Sequence, residues 1–239
     1  MIGGIIVRGG KVRDEAEKPF WISYADLMTA LMVLFLVVMS VALLAVTKTV
    51  DEAAQRKQAR DDAIVKLLDE LEAATKAFPG ISLDRNRNSV DFGDRATFRF
   101  NSAELSPEQE RQLREFVPEV LRIASTELGQ RWLKRVVVEG FTDQAGTYLY
   151  NLNLSLQRSQ RVLCALFASP MTDETELSRE QKEQIRSLFL VGGYSFNSAK
   201  ATPEASRRIE LRIEFFGLGE DVPKPVDLPS VEAGACAMR

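Results

Sequence analysis

The sequence has no histidine and only two cysteines among its 239 residues. Without histidine the chain lacks the usual base of hydrolase triads, the commonest metal ligand and the usual proton carrier near neutral pH. Two cysteines are too few for a four-thiolate zinc site or a disulfide framework. We therefore expect no metal and no cofactor, and any proton transfer must depend on carboxylates.

A strong charge of either sign is also missing. The formal net charge is −3, and lysine and arginine are scattered along the chain without forming a basic block. This distribution argues against nucleic-acid binding. Once one helix is set aside, about 190 residues remain, enough for one soluble domain with linkers or for two small domains.

The apolar run from Pro19 to Thr47 contains a single charged residue, Asp26. A bilayer core requires about 20 apolar residues of helix, so we predict one transmembrane helix over residues 19–47. The run is longer than the core of a signal peptide and ends without a small-x-small cleavage site, which favours an uncleaved anchor. Basic residues lie on both sides of it and do not decide its orientation.

Asp26 is the residue of this run that calls for an explanation. An ionised carboxylate inside hydrocarbon costs at least ~2.5–3.5 kcal/mol, so such a residue predicts a function. Small residues such as Ser23 and Ala30 share its helix face and favour close contact with partner helices. We interpret Asp26 as a proton carrier, with Ser23, Tyr24 and Thr29 as neighbours of the proton path. An ordinary anchor whose aspartate reaches the head groups is the alternative.

Residues 49–78 favour a helix, continuous or broken, because glycine and proline are absent until Pro79. In its second half apolar residues recur at steps of three and four, which matches a short seam for a helix pair. The seam consists of Ile64, Leu67, Leu68, Leu71, Ala74 and Phe78. A simple spacer is an equal alternative.

Beyond Gly80 the sequence predicts an α+β sandwich, a mixed sheet with helices on one face. Ser106, Pro107 and Gln109 mark a helix start, and residues 155–169 favour a second helix. Alternating apolar residues predict strands over residues 88–92, 96–100, 133–141, 187–195 and 207–216. Prolines and acidic residues from Gly217 onward predict an unpacked tail.

Two motifs of this chain resemble known families. "WISYADLMTALM", residues 21–32, resembles the transmembrane signature of MotB-type stator proteins. "VEGFTDQAGTYLYNLNLSLQRSQRV", residues 138–162, resembles the peptidoglycan-binding motif of OmpA-like domains, and "FNSAEL", residues 100–105, is a weaker match to the same domain. The chain departs from the family pattern at Phe141, where histidine is usual, and at Ser206, where asparagine is usual. Within the stator family it is most similar to the MotB-like subunits of Zorya anti-phage defence systems.

The resemblance implies a ligand, the diaminopimelate part of the peptidoglycan stem peptide, which carries an ammonium and a carboxylate. Asp143 suits the ammonium, and Arg158, expected in the first turn of a helix capped by Ser155, suits the carboxylate. Thr142, Asn151, Leu154 and Arg208 are the other residues implied in the site. An Asp143–Arg158 surface salt bridge is the alternative for that pair, and pairing with Glu210 is the alternative for Arg208.

The resemblance also implies an architecture and partners. The expected segments are a cytoplasmic tail (1–18), a transmembrane helix (19–47), a helical linker (48–80), an OmpA-like domain (81–216) and a C-terminal tail (217–239). A homodimer of this chain is expected inside a ring of MotA-like (ZorA-type) subunits in the bacterial inner membrane, with the domain in the periplasm. The implied function is a proton-driven stator and not an enzyme. A flagellar stator subunit and a passive wall tether remain alternatives, and a wall hydrolase lacks a recognisable catalytic set.

An oxidising periplasm favours pairing of Cys164 with Cys236, which would attach the C-terminal tail to the domain. Two free thiols and a bridge between two chains of a dimer are the alternatives.

Overall fold

The computed structural model describes residues 18–169, 176–220 and 236. The chain divides into two compact units between Arg56 and Lys57. Residues 1–17, and nearly all of the predicted C-terminal tail after residue 220, lie outside the described residues.

The described helices are α1 (Lys18–Thr75), α2 (Pro107–Ala124), α3 (Glu127–Trp132), α4 (Tyr148–Phe167), α5 (Arg179–Leu188) and α6 (Pro203–Ser206). The described strands are β1 (Ser82–Asp84), β2 (Ser89–Asp91), β3 (Leu133–Gly140), β4 (Phe189–Gly193) and β5 (Ile209–Phe215). A short 3-10 turn covers Gly93–Ala96.

Helix α1 contains the predicted transmembrane run. Among the described residues it is the one helix that is long and apolar enough to cross a membrane. Every side chain from Trp21 to Val50 is exposed, so none of the described residues covers this part of the helix. An apolar surface of this extent requires lipid or other protein chains around it.

The last turns of α1 belong to the core of the second unit. Leu67 and Leu71 are buried among core residues that include Val120 and Ile213. The predicted seam is therefore occupied by this chain's own domain, and the helix-pair and simple-spacer interpretations are both wrong for these turns. The apolar residues at steps of three and four do form a buried helix face, but such spacing does not show which surface covers that face.

The second unit is built on a five-stranded sheet in the order β1-β2-β5-β3-β4. Strands β3 and β4 are parallel, and the other neighbouring pairs are antiparallel. The predicted mixed sheet with helices is confirmed. Its inner face carries Val90, Val138 and Leu211, which are fully buried because alternate residues of a strand point to the same side.

The local predictions had mixed outcomes. Ser106 and Gln109 form the expected capping box, with Pro107 at the first helical position. The strand predicted over residues 96–100 is wrong, because that segment makes one bridge, Thr97 with Arg208, and then enters a turn. Helices α3 and α5 were not predicted, and α4 begins at Tyr148, earlier than expected.

Candidate functional site

The site forms where β3 and β4 end against helix α4. A Cβ atom on Gly140 would lie 1.9 Å from the Ser155 carbonyl oxygen, and one on Gly193 would lie 2.8 Å from the Ser155 hydroxyl. Glycine at both positions therefore lets α4 lie directly on the strand ends. Asp143, three residues beyond Gly140, is placed beside this helix as a result.

Asp143 is held by an arginine and by its own loop. Its Oδ2 accepts a hydrogen bond from Nη1 of Arg207 at 2.9 Å, and its Oδ1 accepts one from the Ala145 amide at 3.1 Å. Arg207 also donates to the Phe98 carbonyl at 3.0 Å and to Glu204 at 3.2 Å. Burial lowers the pKa of Arg207, but the hydrogen bonds to Asp143 and Glu204 outweigh burial and raise it. The two side chains form a charged pair near the protein surface, with Asp143 11 % and Arg207 13 % exposed.

Arg158 lies behind this pair and is fully buried. Its guanidinium donates to three main-chain carbonyls, those of Phe141 (2.7 Å), Ser102 (2.9 Å) and Arg99 (3.4 Å). It also lies 4.9 Å from the centre of the Phe98 ring. Burial lowers its pKa to about 10, against the opposing charge of Asp143, so the guanidinium stays charged at neutral pH.

Two sequence interpretations of Arg158 need correction. Thr147, not Ser155, caps the helix, since its hydroxyl accepts from the Tyr150 amide. Arg158 is therefore well inside α4 and not in its first turn. The alternative of a surface salt bridge is also wrong, because Arg158 is buried and the ion-pair partner of Asp143 is Arg207.

Arg208, which the sequence placed in the site, points elsewhere. Its guanidinium is buried, pairs with Glu210 at 2.7 Å and lies 4.3 Å from the centre of the Phe141 ring. The sequence analysis missed Arg207 as the partner of Asp143. Neighbouring residues of an extended segment point to opposite sides, so Arg207 contacts Asp143 while Arg208 contacts Glu210. Phe141, at the family's histidine position, is the ring beneath Arg208.

Two of the remaining predicted residues shape the loop that carries Asp143. Asn151 donates from Nδ2 to the Ala145 carbonyl at 2.8 Å, which holds the loop against α4. The Thr142 amide donates to the Ser195 carbonyl at 2.9 Å, and Leu154 is a buried residue of α4. Thr142 and Asn151 therefore help to position the loop of Asp143.

A network of ion pairs covers the outer face of the sheet near the site. Glu139 pairs with Arg212 at 2.6 Å and with Arg87 at 3.4 Å, and Arg87 also pairs with Glu210 at 2.9 Å. Burial raises the pKa of Glu139, although Tyr194, Arg212 and Arg87 act against that rise. The buried carboxylates of Glu139 and Glu210 are thus paired with the partly exposed arginines Arg87 and Arg212.

In the membrane unit, Asp26 and its predicted neighbours lie on consecutive turns of α1. The Thr29 hydroxyl donates to the Asp26 main-chain carbonyl at 2.9 Å, so it satisfies the helix backbone and not the carboxyl group. Ser23, Tyr24 and Asp26 are exposed on the helix. Their side chains are available to groups outside this chain.

The two cysteines are joined. The structure has a disulfide between Cys164 of α4 and Cys236, with their Cα atoms 5.8 Å apart.

Comparison with known proteins gives matches for both units. The model of the OmpA family matches residues 97–209, and the model described as "Membrane MotB of proton-channel complex MotA/MotB" matches residues 8–55. The Zorya protein ZorB of Escherichia coli is 49% identical over 221 residues, which cover 91% of this chain and 90% of that protein.

Two solved structures match part of the chain at low identity. The periplasmic domain of Helicobacter pylori MotB has a TM-score of 0.40 at 13% identity and covers 57% of this chain and 79% of that one. The cell wall anchor of the T6SS from Pseudomonas aeruginosa has a TM-score of 0.39 at 18% identity, covering 61% and 94%.

Proposed function

This chain belongs to the ZorB family, and we propose that it is the wall-anchored subunit of a proton-driven stator in a Zorya-type anti-phage defence system. It is a stator-like subunit with a MotB-like membrane segment and an OmpA-type domain. To this family-level description the proposal adds the role in defence, the transfer of protons by Asp26 and the residues that bind the cell wall.

The Asp143–Arg207 pair is the main observation behind the proposal that the domain binds the cell wall. A zwitterionic ligand such as diaminopimelate requires an anion for its ammonium and a cation for its carboxylate. Here both charges lie in contact near the protein surface, 2.9 Å apart. The ligand ammonium takes the place of Arg207 at Asp143, and the released guanidinium receives the ligand carboxylate with two N–H groups.

Arg158 supports this exchange from behind. Its hydrogen bonds to three main-chain carbonyls fix the segments beside the Asp143–Arg207 pair, and its buried positive charge attracts the ligand carboxylate. Thr142 and Asn151 hold the loop of Asp143. We assign ligand contact to Asp143 and Arg207, and positioning to the other residues.

The proposal that the membrane segment moves protons rests on Asp26. It is the one charged residue of an apolar run long enough to span a bilayer. In this proposal the carboxyl group takes up one proton and releases it again within each cycle. This change of charge alters its contacts with partner helices on each cycle, which couples proton flow to movement.

The architecture follows from these two halves. We propose a single-pass inner-membrane protein with residues 1–18 in the cytoplasm, a span over 19–47, a connecting segment over 48–80, a periplasmic domain over 81–216 and a tail from 217. The last turns of α1 pack into that domain. A homodimer lies within a ring of MotA-like (ZorA-type) subunits, since one helix with one carboxylate cannot enclose a channel.

Retention on purified peptidoglycan tests the wall-binding half. We expect the full chain in detergent to sediment with sacculi and Asp143→Asn to remain in the supernatant, because an amide does not compensate an ammonium. Glu183→Gln, which removes one charge from an exposed helical ion pair, is the matched control and should sediment like the wild type. Equal sedimentation of Asp143→Asn and the control would exclude Asp143 as the wall contact.

A further inference from the structure

Strand β4 has an open side at the edge of the sheet. It stands last in the strand order and pairs with β3 alone among the described residues. The Tyr194 amide, just after β4, donates to the Gly140 carbonyl of β3 at 3.0 Å. Main-chain groups of alternate residues in a strand point to opposite edges, so those of Val191 and Gly193 point away from β3. Such a row of groups can pair with another strand.

This edge lacks the features that usually protect an edge strand from pairing. Protected edges are very short or carry charged residues, prolines or bulges. At the opposite edge of the sheet, β1 has three residues and ends at Asp84. Strand β4 has five residues, with neither a charge nor a proline, and its Leu190 is 48% exposed. The β4 edge therefore favours a partner strand.

Helix α4 adds an apolar surface beside the same edge. It lies directly on β4, since the Ser159 hydroxyl donates to the Gly192 carbonyl at 3.1 Å. One side of α4 faces α2, where Arg114 donates to the Ala165 carbonyl at 2.9 Å. Leu156 is nine positions from Ala165, about two and a half helical turns, and so lies on the side away from α2. The apolar residues on that side, which we call the edge stripe, are Leu152, Leu156, Leu163 and Phe167.

The charge of this surface suits a second copy of the chain. Residues of a two-fold contact face their own counterparts, so a surface with a net charge repels its copy. Strand β4 and the edge stripe carry no charge. The two charged residues of α4 are Arg158, which is buried, and Arg161, which lies on another side of the helix. An anionic or cationic partner would find no opposite charge in β4 or the stripe.

We propose that β4 and the edge stripe form the contact between two copies of this domain, which join their sheets through antiparallel β4 strands. The inference rests on the proposed homodimer. Its membrane helices hold two domains at high effective concentration, so a short strand pair with an apolar helix contact suffices. Because β3, which leads to Asp143, is the next strand, the contact holds both wall-binding pairs in one rigid unit.

Oxidative cross-linking of Val191→Cys in the full chain in detergent tests the contact. The register that pairs all five residues of β4 places Val191 opposite its own copy, with Cα atoms about 5.5 Å apart, within the range of a disulfide. The native cysteines do not compete, because Cys164 and Cys236 are joined. We expect mild oxidation to convert most of the variant into a dimer that reduction separates. Leu218→Cys, at a 51% exposed position outside β4 and α4, is the control and should form little dimer.

Leu190→Lys provides a second variant at an exposed position. Its lysines face each other near the two-fold axis, so adding it to Val191→Cys should lower the cross-linked fraction about 5-fold, as for one pair of like charges across strands. In the chain without added cysteine, the Val191 amide should exchange its hydrogen faster in Leu190→Lys than in the wild type. The near-UV circular dichroism and unfolding midpoint should stay unchanged.

The outcomes separate this contact from the proposed function. Equal cross-linking of Val191→Cys and Leu218→Cys, in a chain that light scattering shows to be dimeric, would overturn the contact and leave the homodimer. Equally slow exchange of the Val191 amide in the wild type and Leu190→Lys would overturn it in favour of cover by the same chain. A monomeric mass, alone and with the MotA-like partner, would contradict the homodimer and the contact together.

Discussion

Arg207 donates a hydrogen bond to Asp143 at 2.9 Å, so this cation occupies the place where we expect a ligand ammonium. In the proposed binding mode, one cation is exchanged for another at the same carboxylate. Glu204 already accepts from Arg207 at 3.2 Å, and we expect it to hold the guanidinium near Asp143 during that exchange.

Arg207→Gln should abolish recognition of the ligand carboxylate while leaving the ammonium site. For the wild type, we expect amidation of the diaminopimelate carboxylate to weaken binding of the stem peptide by about 1.5–3 kcal/mol, as for a charged hydrogen bond. The variant should bind both peptides equally weakly. Calorimetric titration of the two peptides into both proteins gives the coupling energy, and a full amidation effect in Arg207→Gln would exclude the assignment.

Arg158→Met should destabilise the domain, because Arg158 is an internal support. Its loss leaves three main-chain carbonyls without their donor in a buried position, which costs about 3–5 kcal/mol. The unfolding midpoint followed by near-UV circular dichroism should fall accordingly. Arg179→Ala, at a side chain that is 78% exposed, should change the free energy of unfolding by less than about 0.5 kcal/mol.

The free energy of unfolding should depend on pH through the titration of Glu139. Burial raises its pKa in the native state above the ordinary 4.5, so the native state binds this proton more tightly than the unfolded state. The stabilising contribution of Glu139 is therefore fully present below pH 4.5 and is lost as the pH rises through the native pKa. Tyr194, Arg212 and Arg87 lower the pKa of Glu139 and so moderate the effect, whereas the negative charge of Glu210 raises that pKa further.

The test compares the wild type with Glu139→Gln, so that acid titration of other carboxylates cancels. The free energy of unfolding of the wild type minus that of the variant should grow as the pH falls from about 7 to about 5. A difference that shrinks on acidification would mean that the arginines outweigh burial and lower the pKa of Glu139.

The disulfide should be detectable as a protected pair of thiols. Alkylation of the denatured, unreduced chain should modify neither Cys164 nor Cys236, and both should react after reduction. A dimer mass lost on reduction would indicate an interchain bridge. Alkylation of both thiols without reductant would show that the bridge is absent.

The sequence predicted those features that depend on local chemistry. The capping box at Ser106 follows from three neighbouring residue types, and the sheet follows from alternation in strands such as β3 and β5. The start of α4 was predicted wrongly because Thr147 and Ser155 are both residue types that cap helices well. Which of them is the cap depends on the packing of α4 against Gly140 and Gly193. The contacts of Leu67 and the choice of Arg207 over Arg208 depend on long-range packing, which no local pattern contains.

The proton-carrying role of Asp26 is the central claim, and phage protection by Asp26→Asn tests it most directly. The amide has nearly the same shape but cannot ionise, so we predict loss of protection while membrane insertion and co-purification with the MotA-like partner persist. Asp51→Asn, on the same helix beyond the apolar run, should protect like the wild type. Full protection by Asp26→Asn would contradict the account and make the chain a passive wall tether.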